Sequence, residues 1–273
     1  ALRITFGKSV ALASPLQGMG ANGKTTLAKT LAHDDDLLDA YPHGVIFIDL
    51  GDPTRDTIER LHAITLHLRP DTERPVDLEA AISMWRAVLQ NKRFLILLDD
   101  VRREDDMLPF LRGGNDCARL ITTRDERILD DNSIKIILGP MRENESFDLL
   151  ARGLAADEVL PCTPALEQLG AALLHWPLLL GLTNRILHEH RARGLDLGLA
   201  VGLVRAALSV EADADERSDD SLAYPTLVPK ILGLGTALLT DAFAHADERL
   251  RELSIFPGHE TVPRSLAATR WHQ

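Results

Sequence analysis

Residues 18–26 read GMGANGKTT, and this stretch limits the chain to folds that place a tight loop between a strand and a helix. Gly18, four further residues, Gly23, Lys24 and Thr25 match the G-x-x-x-x-G-K-[ST] phosphate-binding loop. Glycine lets successive backbone N–H groups approach a ligand closely, because it has no Cβ. The sequence therefore predicts an anion cradle that opens a helix.

Within this loop, each residue type has a defined chemical use. Lys24 would reach the β- and γ-phosphates as a point charge, and the Thr25 hydroxyl would ligate Mg²⁺, which prefers oxygen. A flexible glycine turn without a ligand is the alternative interpretation. The predicted nucleotide-binding residues of the loop are Gly18, Met19, Gly20, Ala21, Asn22, Gly23, Lys24, Thr25 and Thr26.

Short apolar runs alternate with amphipathic segments through the first half of the chain. Such alternation predicts an α/β fold, a mostly parallel sheet with helices on both faces. The strand before the loop is interrupted by Pro15, so it is either short or bulged at its end. Predicted strands are VIFIDL (45–50), FLILLDD (94–100), RLITT (119–123) and IKIILG (134–139), and predicted helices cover 54–68 and 78–91.

Two acids end the apolar run FLILLDD. Ligands of open α/β sheets bind beyond the carboxyl ends of the strands, so Asp99 and Asp100 are expected at the phosphate loop. One carboxylate can hold Mg²⁺ and a second can orient or deprotonate an attacking water. We assign the metal role to Asp99 and the catalytic-base role to Asp100. An Asp-Asp pair that merely ends a strand and begins a turn is the alternative.

The next apolar run, LITTRD, ends in polar residues that include Arg124. A guanidinium at the γ-phosphate could distinguish ATP from ADP, because only ATP offers the additional anionic oxygens. Arg124 is therefore the third candidate catalytic residue, with Lys24 and Asp100. An arginine in this position is, taken alone, more often an ordinary surface residue.

Composition restricts the possible partners and compartments. The net charge of −11 disfavours binding to nucleic acid or to a membrane surface. Cys117 and Cys162 lack metal-ligand spacing and cannot form a disulfide framework, so a reduced, cytoplasmic protein is expected. We see no signal peptide and no transmembrane-length apolar run.

After Pro140 the sequence becomes Leu- and Ala-rich with helical periodicity, and 211–221 is a charged linker.

Together these motifs resemble the NB-ARC (AP-ATPase) branch of the STAND NTPases. GMGANGKTTLA is similar to the first kinase motif of that family, FLILLDDV to its second, and RLITTRD to its arginine-bearing segment. LGPMRENESFDLL resembles the entry into its helical domain, LLHWPLLLGL its GLPLAL motif, and RLRELSIFPGHETVP the start of its winged helix. His175 and Trp176 stand where Gly-Leu is common, so only Pro177 is carried over, as a residue near the adenine.

The resemblance implies three domains and a switch. A P-loop nucleotide-binding domain would span 1–140, a helical domain 141–215, and the N-terminal part of a winged-helix domain 216–273. ATP or ADP with Mg²⁺ would be bound, and slow hydrolysis would control self-assembly of the full-length protein, with this fragment monomeric. A non-hydrolysing ADP-bound scaffold, a nucleotide-regulated transcriptional regulator and a metabolic kinase are the alternatives.

Overall fold

The chain consists of two compact units, Ala1–Gly139 and Pro140–Gln273. They are shown by a computed structural model that describes residues 9–13, 23–52, 55–129, 133–209 and 220–242. The predicted residues Gly18, Met19, Gly20, Ala21 and Asn22 lie outside these ranges, as do residues 210–219 and 243–273. Of the predicted linker 211–221, the last two residues are described, and they begin a helix instead.

The first unit is a five-stranded sheet with helices. Its strands pair in the order β2-β3-β4-β1-β5, and every pair is parallel. In chain order the elements are β1 (Ser9–Ala13), α1 (Lys24–Leu31), α2 (Asp35–Ala40), β2 (Val45–Asp49), α3 (Thr57–Leu68), α4 (Leu78–Leu89), β3 (Leu95–Val101), α5 (Glu104–Leu111), β4 (Ala118–Thr123), a 3-10 turn (Glu126–Ile128) and β5 (Ile134–Ile137).

Alternate side chains of the central strands build two separate cores. On β3, Leu95 and Leu97 pack with α1 and α2 residues on one face of the sheet. Ile96 and Leu98 pack on the other face with residues of α3, α4 and α5, among them the fully buried Trp85. A strand covered on both faces must be apolar at every position, which is why FLILL is a continuous run. The predicted parallel sheet with helices on both faces is confirmed.

The edge strands are less buried than their sequences predict. The apolar run VIFIDL is typical of a strand buried on both faces. On β2, however, buried side chains alternate with exposed ones, and Phe47 is 40% exposed. The physical reason is strand order: β2 has one neighbour, β3, so a continuous apolar run does not guarantee two covered faces. The Lys29 ammonium lies 5.2 Å from the Phe47 ring centroid, a cation–π contact at this edge.

In its described residues, 140–209 and 220–242, the second unit consists of helices: α6 (Glu143–Ala151), α7 (Ala156–Ala172), α8 (Pro177–Ala192), α9 (Leu197–Ser209) and α10 (Asp220–Ala242). This helical region follows the sheet as predicted. The boundary between a helical and a winged-helix domain at 215/216 stays a prediction. Among the described residues, no helix combines the length and apolar character needed to cross a bilayer.

Side chains of α8 satisfy the carboxyl end of α6. Asn184 Nδ2 donates to the carbonyl oxygens of Leu150 and Arg152, at 2.9 and 3.0 Å. His188 Nε2 donates to the same Arg152 carbonyl at 2.8 Å. The last carbonyls of a helix have no partner within it, so these donors replace water there and join α6 to α8.

Candidate functional site

The phosphate-loop motif meets α1 at Gly23. Gly23 has φ +79°, a left-handed conformation that glycine adopts without steric cost, and among the described residues a Cβ there would meet no atom within 4 Å. It is the N-cap of α1, and it makes no side-chain capping hydrogen bond within the part of the chain that the structure describes. The first amides of α1 are thus left for an anion, in agreement with the motif.

Lys24, the first residue of α1, is only 8% exposed. Burial lowers the pKa of its ammonium group below the ordinary value of 10.5, and the nearby Arg124 guanidinium lowers it further. Asp100 and Asp99 act in the opposite direction. A buried ammonium group raises the free energy of the folded chain unless nearby negative charge offsets it. An anionic ligand supplies such charge, so this position favours one.

Thr25 and Asp99 are brought together by the fold. The Thr25 hydroxyl donates to Asp99 Oδ1 at 2.8 Å, although the two residues are 74 positions apart. Asp99 is 6% exposed and sits near the carboxyl end of β3. The two oxygens that the sequence assigns to a metal are therefore in direct contact.

Thr122 on β4 connects the two aspartates. Its hydroxyl donates to Asp99 Oδ1 at 2.5 Å and accepts from the backbone N–H of Asp100 at 2.9 Å. Sequence reasoning missed this role, because a β-branched residue in an apolar run reads only as a strand residue. The register of β3 and β4, with Leu98 opposite Ile121, is what places Thr122 beside the two acids.

Asp100 has an unusual backbone conformation and two arginine partners. Its φ is +50°, at a register shift between Leu98 and Val101 in the β3–β4 pair. Arg124 Nε lies 3.2 Å from Oδ1, and Arg102 Nη2 lies 2.8 Å from Oδ2. Left-handed non-glycine residues are concentrated at functional sites. The structure thus brings Asp100 and Arg124 together and adds Arg102, which the motif reading did not single out.

The chemistry of the donor set fits Mg²⁺. That ion is usually held by one or two protein oxygens together with phosphates and water, and Thr25 and Asp99 offer such a pair. Within the described part of the chain, no group of three or more His, Cys, Asp or Glu side chains could hold a metal by itself. A metal at this place would therefore need the phosphates as further ligands.

Two other predicted binding residues are placed differently. Thr26 is exposed in the first turn of α1, where its carbonyl accepts from the Thr30 hydroxyl at 2.9 Å. Pro177 is the first residue of α8 in the second unit and follows a turn in which Leu174 and His175 have φ +55° and +53°. A hydrogen bond of 2.9 Å joins His175 Nδ1 to the Ser146 hydroxyl within that unit.

Comparison with known proteins gives consistent results. Regulatory protein AfsR of Streptomyces griseus is 29% identical over 243 residues, which cover 87% of this chain and 24% of AfsR. TMV resistance protein N of Nicotiana glutinosa is 28% identical over 189 residues, 64% of this chain and 16% of protein N. The chain therefore spans about a quarter of AfsR and less of protein N.

The fold has solved counterparts as well. The Aeropyrum pernix ORC2 protein, solved in ADPNP–ADP complexes, superimposes with a TM-score of 0.51 at 13% identity, covering 85% of this chain and 81% of that protein. At this identity the likeness shows the fold alone. A family model described as the NB-ARC domain matches residues 10–158, more than half of the chain. The chain belongs to the NB-ARC family of P-loop nucleotide-binding domains.

Proposed function

We propose that this chain is the nucleotide-operated switch of a longer STAND protein, which binds ATP and ADP with Mg²⁺ and hydrolyses ATP slowly. The observation that carries the proposal is the cluster of Lys24, Thr25, Asp99, Asp100 and Arg124 at one edge of the sheet, linked by hydrogen bonds, ion pairs and Coulombic interactions. Residues 18–26 would cradle the phosphates, and Pro177 would lie near the adenine.

Each residue of the cluster has a chemical part in the proposal. Lys24 offsets the negative charge of the β- and γ-phosphates. Thr25 and Asp99 hold the Mg²⁺, which screens phosphate charge when it is bound. Asp100 accepts the proton of the attacking water. Its two oxygens accept from Arg102 and Arg124, so Arg124 must turn from Asp100 to the γ-phosphate before hydrolysis.

Arg124 makes the site respond to the third phosphate. A ligand shifts a conformational equilibrium only through contacts that differ between the two states, and Arg124 gains such a contact with ATP and not with ADP. We propose that this difference controls self-association of the full-length protein, with the chain monomeric by itself. The helical domain, 141–215, and the winged-helix part, 216–273, would close over the nucleotide. A cytoplasmic location is part of this proposal.

A non-hydrolysing ADP-bound scaffold is a second candidate, favoured by one observation. Arg102 donates to one oxygen of Asp100 and Arg124 to the other, and both arginines would compete with an attacking water for this carboxylate. The relatives named regulatory protein and resistance protein fit either candidate.

The test is to denature the purified chain, identify any released nucleotide by ion-exchange chromatography, and titrate the nucleotide-free chain with ATP and ADP in Mg²⁺. We expect binding of both nucleotides by the wild type and loss of both in Lys24→Ala. Retained binding in Lys24→Ala would contradict the phosphate-loop assignment. Turnover of ATP by the full-length protein separates the switch from the scaffold, which would bind ADP without hydrolysing ATP.

A further inference from the structure

Arg102 meets Asp100 on the side opposite Arg124. Its Nη2 and Nε lie 2.8 and 3.2 Å from Oδ2 of Asp100, whereas Arg124 reaches Oδ1. Asp100 is 22% exposed at its side chain, and Arg102 is 56% exposed. One carboxylate is thus shared by two guanidinium groups, each on its own oxygen.

Gly51 makes room for this carboxylate. A Cβ built at Gly51 would lie 2.6 Å from Asp100 Oδ2, the oxygen that Arg102 holds, and 3.1 Å from the Cβ of Asp100. Gly51 does not have positive φ, and the three atoms nearest to a Cβ there all belong to the side chain of Asp100. The pairing of Asp49 with Asp99 in β2 and β3 brings the segment after β2 to this place.

The segment that carries Gly51 is fixed to its own unit. Arg60 on α3 donates to the carbonyl oxygens of Asp49 and Asp52, on both sides of Gly51. The backbone N–H of Gly51 donates to Asp49 Oδ1 at 2.8 Å, and Leu50 N donates to Asp99 O at 2.9 Å. Because the segment is held at these points, an added Cβ would displace the Asp100 carboxylate rather than the loop.

We propose that Arg102 is a positioning residue that keeps the Asp100 carboxylate paired when Arg124 turns to the γ-phosphate, and that Gly51 provides the space for this pair. Without Arg102, Arg124 would be the one guanidinium of the described residues left on Asp100, and it would leave the carboxylate less readily. The uncompensated carboxylate would also repel the γ-phosphate. Both effects weaken the binding of ATP and leave the binding of ADP unchanged, since ADP has no third phosphate. This inference rests on the proposed function.

The experiment measures the dissociation constants of ATP and ADP for the 273-residue chain in Mg²⁺. Arg102→Gln is expected to raise the ratio of the ATP to the ADP constant by roughly two- to fivefold, as expected for a partly exposed ion pair. Arg102→Lys, which keeps one charge, should recover part of this change. Arg103→Gln is the matched control, because the neighbouring Arg103 is exposed and pairs with Asp105 instead.

Two further variants separate positioning from a general structural effect. In an Asp100→Asn background, Arg102→Gln should no longer change the ratio, since the charge on which it acts is gone. Gly51→Ala should raise the ratio as Arg102→Gln does, whereas Gly139→Ala should not, since a Cβ at Gly139 lies within 4 Å of none of the described residues.

The outcomes distinguish this inference from the function on which it rests. A wild-type chain that binds neither nucleotide overturns the proposed function, and the inference with it. A wild-type chain that binds both, with an unchanged ratio in Arg102→Gln, overturns the inference alone. A ratio that rises equally in the Asp100→Asn background, or in Arg103→Gln, overturns it as well.

Discussion

Thr25 and Asp99 are joined by a hydrogen bond of 2.8 Å between the start of α1 and the end of β3. This contact links the phosphate-loop motif to the acidic strand end, the two parts of the proposed metal site. Because each side chain supplies an oxygen, the pair fits a small hard cation that completes its coordination with phosphate and water.

Thr25→Ala is expected to reduce the dependence of ATP affinity on Mg²⁺, because a methyl group cannot ligate the ion. Thr25→Ser, which keeps the hydroxyl, should preserve it. Titrating ATP with Mg²⁺ and with EDTA for the three chains provides the measurement. Equal Mg²⁺ dependence in Thr25→Ala and the wild type would remove Thr25 from the metal site.

Asp100→Asn should still bind both nucleotides and should reduce ATP turnover by about 10²- to 10⁴-fold, the usual contribution of a general base. The amide has the shape of the carboxylate but cannot take a proton from water. Phosphate release by the full-length protein is the readout, with nucleotide affinity measured in parallel. Unchanged turnover would show that Asp100 is not the base.

Thr122→Val tests the link between the two aspartates. Valine keeps the β-branched shape but removes the donor to Asp99 and the acceptor of the Asp100 N–H. We expect the free energy of unfolding to fall by about 1–3 kcal/mol, the cost of leaving buried polar groups unpaired. Urea unfolding of Thr122→Val and Thr122→Ser is the comparison, and equal stability of the two would contradict the role of the hydroxyl.

Lys24→Met should stabilise the nucleotide-free chain while abolishing nucleotide binding. The pKa of Lys24 is lowered in the folded state, chiefly by burial. Below the pKa that Lys24 has in the folded chain, its buried charge lowers the free energy of unfolding by the full amount. Between that pKa and 10.5 the unfolded chain binds more protons than the folded chain, so the free energy of unfolding rises with pH and the cost of the charge disappears.

Thermal unfolding as a function of pH checks this prediction. At neutral pH the methionine variant should melt a few degrees higher, since about 1 kcal/mol shifts Tm by roughly 2–4 °C in a chain of this size. The difference should shrink towards pH 10.5. A difference that is constant with pH would assign the effect to packing of the side chain and not to its charge.

Asn184→Ala should weaken the helical unit by about 1–2 kcal/mol, because two carbonyls at the end of α6 lose their donor. Arg185→Ala, at the exposed neighbouring position on α8, is the control. Urea denaturation monitored by circular dichroism gives the comparison. If the two variants were equally stable, water would replace Asn184 at these carbonyls without loss.

Much of the site could be predicted from the sequence because its parts are local. The loop motif ends in Gly23, Lys24 and Thr25, and each acidic or basic candidate directly follows an apolar strand. In a parallel sheet all carboxyl ends face the same edge, so these residues were expected together without knowledge of the strand order. The roles assigned to all of these residues, and to Gly18 to Asn22 and Pro177, stay predictions.

By itself, the sequence determined the class of fold, the parallel sheet and the edge at which the site lies, since these follow from apolar runs and from motifs within a few residues. Only the tertiary structure decided the neighbours across strands. The register of β3 with β4 sets Thr122 between Asp99 and Asp100, and the register of β2 with β3 sets Gly51 against Asp100. Strand order and register depend on packing over the whole unit, so no local pattern encodes that Asp100 is shared by Arg102 and Arg124.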